Sequence, residues 1–312
     1  MRAMGLFDFG GPEVLQLVDV PERHAAAGEV RIRVHASTVN PTDTTLRKGA
    51  RAELVRRDPP PYVPGMDVAG VIDEIGAGTQ TNLAVGDSVM AMVVNRASHG
   101  GYSESIVLSA DAVVHIPAGK TLIEAATLPM NGLTARQSLD QLALRPGQTL
   151  AVTGAAGCYG GYVVQLAKAD GLRVIADAAP ADEALVRGLG ADIVVPRGDD
   201  IAAQIRKAVP GGVDGLADGS FQSGVAAGAV RDGGCFVSVR GWAGDERGIT
   251  FHKTSVREYN HRADLLDRLR QQVEAGQMSL RVAATYPAAQ AADAHRRLEA
   301  KGTRGRLLLL WQ

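Results

Sequence analysis

Cysteine is nearly absent from this chain. Cys158 and Cys235 are its only two, too few for a disulfide framework or a four-thiolate zinc site. No apolar run approaches the ~18 residues of a membrane helix. The opening MRAMGLFDFG lacks the apolar core of a signal peptide, so a cytoplasmic protein is expected. Charge of one sign is missing too. A formal net charge of -1 with acids and bases interspersed leaves no electrostatic footprint for nucleic acid or an anionic membrane. Low-complexity tracts and solenoid repeats are absent. The seven histidines form no H-x-x-x-H pair or other tight cluster, and no Ser/His/Asp or Cys/His signature of nucleophilic catalysis is present.

What the chain does contain is a strand, a Gly-rich turn, a helix and a second strand, all within Gln148–Ala178. Leu150–Val152 and Leu172–Ala176 are short apolar runs of the buried-strand type. Between them Val163, Val164, Leu166 and Ala167 mark one face of a helix, with Gly171 at its C-cap. The turn reads Gly154-Ala155-Ala156-Gly157-Cys158-Tyr159-Gly160. Ala155, Gly157 and Gly160 fill the three positions of a G-x-G-x-x-G dinucleotide fingerprint, with Ala in the first. Small residues there let the main chain turn tightly and let a pyrophosphate approach the N–H groups at the helix start. Flanking strand and helix give this string a meaning that a lone Gly-rich stretch lacks.

A chain of 312 residues has room for two domains. Residues 1 to 120 read as β-rich. Strands are expected at Val14–Val20, Glu29–Val39, Asp67–Ile75, Asp87–Val94, Tyr102–Leu108 and Ala112–Ile116, punctuated by Pro and Gly, which describes a small, partly closed barrel. Thr121–Leu144 reads as helix. Strands and helices then alternate through Cys235–Val239, the pattern of a doubly wound parallel sheet. Asp264–Ala275 is an amphipathic helix. The tail holds a strand near Leu280–Ala284, a helix over Ala288–Ala300 and a final strand at Arg306–Trp311.

The arrangement resembles the zinc-independent quinone oxidoreductase (zeta-crystallin-like) branch of the medium-chain dehydrogenase/reductase superfamily. The residues that carry the likeness are Asn40-Pro41-Thr42-Asp43, Pro64-Gly65-Met66-Asp67-Val68-Ala69-Gly70, Val85-Gly86-Asp87, Gly100-Gly101-Tyr102-Ser103-Glu104 and Leu133-Thr134-Ala135. The Gly-rich turn, Gly233-Gly234, Ala294-His295 and Gly305-Arg306 complete the series. The resemblance implies an α/β fold: a GroES-like β-barrel catalytic domain over 1–120, completed by 277–312, and a Rossmann NAD(P)-binding domain over 121–276. It implies an active site in the cleft between them. Zinc alcohol dehydrogenases of the superfamily place Cys where this chain has Asn40, and Gly-His-Glu where it has Gly65-Met66-Asp67. Asn and Met are poor zinc ligands, so a metal-free site is expected.

The same resemblance puts Asn40 near the nicotinamide, holding its carboxamide or the substrate carbonyl; an Asx-type turn at Asn40-Pro41 is the plainer reading. Thr45 matches a position that is Tyr in some members, and its hydroxyl has less reach. Asp43 reads as a structural carboxylate and Tyr62 as a packing residue. Gly154, Ala155, Ala156, Gly157, Cys158, Tyr159 and Gly160 are expected to hold the pyrophosphate. Cys158 at a helix start is either a thiol of lowered pKa or a small packing residue. Tyr159 is bulky where Val is usual. Asp177 ends the second strand, where an acid bonds the ribose of NAD, yet it is displaced by one residue and faces the other way. Arg197 would suit the 2′-phosphate of NADP. NADPH is therefore the expected cofactor, with NADH the alternative. Asp218 is expected to line the crevice. Ser238, Val239 and Arg240 would lie beside the nicotinamide through backbone groups, and the Arg240 side chain either favours a polar or anionic substrate or folds away on the surface.

The expected function is hydride transfer from NAD(P)H to a quinone or α,β-unsaturated carbonyl without zinc. An enoyl-thioester reductase and a cofactor-binding sensor or structural protein are the alternatives. A small-molecule acceptor is the expected partner, with no nucleic acid and no membrane, in a homodimer.

Overall fold

The computed structural model describes residues 1–50, 52, 56, 58–244 and 247–311. Its contacts divide the chain into two units. One is Met1–Met130 with Asn260–Glu274 and Ser279–Gln312; the other is Asn131–Tyr259 with Ala275–Met278.

In the first unit β1 (Arg2–Gly5) pairs antiparallel with β2 (Gln16–Asp19). Then come β3 (Glu29–Thr38), β4 (Asp67–Ile75), β5 (Ser88–Met92), β6 (Ser105–Ser109) and β7 (Val113–His115). Strand β3 shows the period of two that drives it into a sheet: Val30, Ile32 and Val34 are buried while Arg33 and His35 face out. It pairs with β4 along its length, with register shifts at Arg31/Ile32 and Val34/Ala36 that bend the pair. Residues 29–33 of β3 pair with β6. Asn40, which reads locally as a turn, is the N-cap of α1 (Pro41–Arg47), with Pro41 at its first position.

Thr121 and Glu124 form a capping box on α2 (Leu122–Ala125). The single helix expected over 121–144 is interrupted there, and α3 (Pro129–Leu142) starts afresh on Pro129, which is tolerated in a first turn but not in a helix interior.

The second unit runs β8 (Thr149–Thr153), α4 (Cys158–Ala169), β9 (Arg173–Ala178), α5 (Glu183–Gly188), β10 (Ile193–Pro196), α6 (Ile201–Ala208), β11 (Val213–Asp218), α7 (Ser223–Ala227), β12 (Val230–Ser238) and β13 (Thr250–Lys253). The strands form one parallel sheet in the order β10-β9-β8-β11-β12-β13. That is the doubly wound Rossmann order, reversing direction at β8. Ile175, Leu216, Phe236 and their neighbours are fully buried, as expected for a parallel sheet covered on both faces.

The chain then returns to the first unit through α8 (Ala263–Glu274), β14 (Val282–Pro287), α9 (Ala291–Glu299) and β15 (Arg306–Leu310). Helix α8 groups with the first unit, ahead of the expected return at 277, because it packs on β7. Strand β15 pairs with residues 36–38 of β3 and so closes the seven-stranded, GroES-like sheet beside Asn40.

Candidate functional site

The candidate site residues fall into two groups, one in each unit. The first is built where β3, β4 and β15 meet. Thr38, Asn40 and Asp67 have no exposed surface, and Arg306 retains 4 %. One guanidinium nitrogen, Arg306 Nη2, donates to Thr38 Oγ1 at 2.6 Å, Asn40 Oδ1 at 2.5 Å and Asp67 Oδ2 at 2.9 Å. Asn40 Nδ2 donates to Asp67 Oδ2 at 2.9 Å, and the Thr38 hydroxyl donates to the same oxygen. The other Asp67 oxygen takes the backbone N–H of Met130. The Asn40 carboxamide is thus fixed in orientation by a cation on its oxygen and a carboxylate on its nitrogen.

Behind it lies a second buried chain. Asp43 accepts N–H groups from Asn40 at 2.8 Å and Gly65 at 3.0 Å, and the Tyr102 hydroxyl at 3.3 Å. Tyr102 in turn meets His295 Nε2 at 3.1 Å. Burial lifts the Asp43 carboxyl to about 6 against these amide bonds. It also pushes the Tyr102 phenol up and the His295 imidazole down to about 3. Asp43 therefore does satisfy local amides. Thr45 is half-buried, and its hydroxyl donates to the Pro41 carbonyl at 2.8 Å. Tyr62 stacks on Phe9 in the core. Among the described residues no three His, Cys, Asp or Glu side chains are grouped so as to hold a metal ion.

The second group lies along the carboxyl edge of the parallel sheet. Register places Thr153, Asp218 and Ser238 side by side, with Asp177 and Val195 paired further along. The turn 154–160 leaves the end of β8, and Gly157 is the N-cap of α4. Gly154 has φ +69. A Cβ on Gly160 would stand 2.4 Å from the Gly154 carbonyl oxygen, so only glycine lets α4 start this close to the turn. The helix start then offers a dinucleotide its amide ends at the switch point of the sheet, and these residues fit that group.

Asp177 is 2 % exposed and turns inward. Its Oδ1 accepts the Ala155 N–H at 3.1 Å, its Oδ2 has no partner, and burial raises its pKa. It braces the turn. The residue beyond it, Ala178, has its carbonyl bonded to the backbone N–H of Arg197 at 3.0 Å, and the Arg197 side chain is exposed. Asp218 is completely buried and holds its own loop through Thr153, Ser220 and the Ser223 N–H. The Tyr159 ring lies against Gly219, and its hydroxyl donates to Ser138 Oγ at 2.8 Å. Cys158 and Val239 are half-buried, and Ala156 is buried. The Ser238 hydroxyl oxygen accepts the Arg240 N–H at 3.2 Å, and the Arg240 guanidinium stands 4.2 Å over the Phe221 ring.

Sequence reasoning gave no role to Thr38, Asp67, Tyr102, His295 or Arg306. Four of these five lay inside the motifs that carried the resemblance, and that was the available signal. Thr38, two residues before Asn40, had none.

The chain matches the family model for the alcohol dehydrogenase GroES-like domain over residues 26–118 and that for zinc-binding dehydrogenases over 189–309. It is 37% identical to the quinone oxidoreductase of Mus musculus, over 57% of this chain and 52% of that protein, so the match spans about half the relative's length. It is 30% identical to the chloroplastic NADPH-dependent alkenal/one oxidoreductase of Arabidopsis thaliana, over 99% of this chain and 79% of the other. A mycobacterial protein whose structure was solved in complex with NADPH superposes along the whole of both chains, with a TM-score of 0.86 and 27% identity.

Proposed function

Because the chain belongs to the zeta-crystallin-like quinone oxidoreductase branch of the medium-chain dehydrogenase/reductase superfamily, we propose that it is an NADPH-dependent reductase of quinones or α,β-unsaturated carbonyls. The observation that carries this reading is the carboxyl edge of the second unit. There the small residues Gly154–Gly157, a helix N-terminus and an exposed arginine beside the end of β9 answer in turn to the diphosphate, the dinucleotide backbone and a 2′-phosphate.

When bound, the cofactor supplies a hydride, which with one proton reduces the acceptor by two electrons. The turn Gly154–Gly160 would hold its diphosphate, and Arg197 its 2′-phosphate through paired N–H donors. Asp177 favours NADPH in this reading because its side chain is buried, with one oxygen on the Ala155 N–H, rather than exposed at the strand end. Ser238 and Val239 would line the nicotinamide end. Asn40 is a positioning residue. Its amide, clamped by Arg306 and Asp67, fixes the end of β3 and the start of α1. With that amide and the Thr45 hydroxyl both engaged, charge developing on the acceptor oxygen falls to backbone N–H groups or water, which favours an activated acceptor over a simple ketone. A homodimer paired through the outer edge of β13, the last strand of the sheet, belongs to the same proposal.

The test is direct. Purified protein is mixed with NADPH or NADH and a panel of quinones, enals and enones, and the absorbance of reduced nicotinamide is followed. Oxidation that needs an acceptor and runs faster with NADPH is expected. A silent panel would defeat the proposal.

A further inference from the structure

The proposed reductase activity leaves one set of residues without a task. Two cations stand at the carboxyl ends of β12 and β13, Arg240 in the turn 238–241 and Lys253 as the last residue of β13. Arg240 is exposed and rests on the Phe221 ring at 4.2 Å. Lys253, paired in register with Ser238, lays its stem along Gly241; a Cβ on that glycine would meet Lys253 Cδ at 3.4 Å and Cε at 3.9 Å. Among the described residues neither cation has a carboxylate within ion-pair distance. Elsewhere on the molecule Arg2, Arg31, Arg136 and Arg270 each have one.

Around them lies apolar surface. Phe221 is 47% exposed and Val225 is 50% exposed. Trp242 is half-buried against Phe236 and Phe251. Phe221 holds a φ of +63, a backbone region that a bulky residue enters only when its surroundings impose it. The loop that imposes it is pinned by Asp218 through Ser220 and Ser223. A strained turn thus keeps an aromatic ring in solvent, with a guanidinium parked on its face and a lysine one strand away. The ring face holds the Arg240 guanidinium by a cation–π contact, and Lys253 stands exposed across Gly241, so two cations with no carboxylate of their own among the described residues face solvent side by side.

We propose that this edge is an oxyanion subsite, and that the acceptor reduced by this protein carries a carboxylate, sulfonate or phosphate on a flat apolar body. Arg240 gives the anion a forked pair of N–H donors, Lys253 gives a point charge, and the faces of Phe221 and Trp242 take the conjugated body. The proposal rests on the reductase reading and narrows it to a substrate class.

Two acceptor pairs test it, each differing only in charge: para-carboxycinnamaldehyde and its methyl ester, and para-carboxyphenyl-benzoquinone and its methyl ester. In the wild type the carboxylate-to-ester ratio of kcat/KM should be about ten at low salt and should fall as salt screens the cations. In the double variant Arg240→Leu, Lys253→Met the ratio should drop to about one, while Arg240→Lys retains most of it. The ratio is internal to each protein, so a loss of folded material does not alter it. A second readout needs no turnover: the saturated analogue para-carboxyphenyl-propanal should quench Trp242 in a Trp311→Phe background, and quench it less after the double substitution. A wild-type ratio near one, a ratio untouched by the double variant, or a double variant that changes only the KM for NADPH would each overturn the subsite. If no acceptor is reduced at all, the reductase reading fails, and the quenching titration still decides whether the anion binds here.

Discussion

Asp67 Oδ2 and Arg306 Nη2 stand 2.9 Å apart with essentially no solvent access, although 239 residues separate them in the chain. The same carboxylate oxygen also takes Asn40 and Thr38, so one buried ion pair fixes the orientation of the amide at the end of β3.

Removing one partner should therefore cost far more than removing both. Arg306→Met leaves Asp67 charged and buried, a loss of about 3–5 kcal/mol in unfolding free energy. Arg306→Met combined with Asp67→Leu should recover much of that. Urea denaturation of the two singles and the double would check it. Additive losses would show that the pair is not coupled.

The buried chain behind Asn40 makes two opposed predictions about pH. The Asp43 carboxyl is raised to about 6 in the native state, against about 3.9 unfolded. Between those values the native state binds more protons, so its contribution to stability falls as pH rises from about 4 to about 6, by roughly 3 kcal/mol at most. His295 works the other way. Its native value of about 3 lies below the ordinary 6.5, so the unfolded state binds more protons, and stability is lost as pH falls from about 6.5 toward 3. Wild-type stability should be nearly flat between pH 4 and 6. His295→Gln should then gain stability on acidification and Asp43→Asn should lose it, as read by denaturant midpoints at each pH.

Gly160→Val should abolish tight cofactor binding. The new Cβ would meet the Gly154 carbonyl oxygen at 2.4 Å, which is backbone and cannot swing aside. The turn must open, and an increase in the NADPH dissociation constant of about tenfold or more is expected, equal to ~1.4 kcal/mol or more. Titration of NADPH fluorescence measures it.

Arg197→Ala should separate the two cofactors. Loss of a charge-assisted contact to the 2′-phosphate is worth about 1.5–3 kcal/mol, so NADPH should weaken by roughly tenfold to a hundredfold while NADH changes little. Equal weakening of both would assign Arg197 to the diphosphate.

Much of this molecule was legible in its sequence. The parallel strands are short, largely apolar runs bounded by Gly, Pro or helix caps, a signal strong enough that Leu150–Val152 and Asp192–Val195 were located to within a residue or two of β8 and β10. The Gly-rich turn was readable for the same local reason, since main-chain geometry there admits nothing larger. Strands β1 (Arg2–Gly5) and β13 (Thr250–Lys253) were missed because neither contains an apolar run or a clear alternation of apolar and polar residues. Helix α1 was missed because Asn-Pro serves a turn and a helix N-terminus equally well. Burial of Leu46 and Arg47, a tertiary matter, decides between them.

The sequence by itself determined the central parallel strands, the Gly-rich turn and the helix that follows it, because each is a contest among near neighbours along the chain. Only the tertiary structure decided that Arg306 would close over Asn40, that Asp177 would turn inward to Ala155, and that Arg240 would rest on Phe221. Those pairings depend on strand register and on which face of a sheet a side chain meets. A charge buried far along the chain chooses its partner by three-dimensional proximity, which no local pattern encodes.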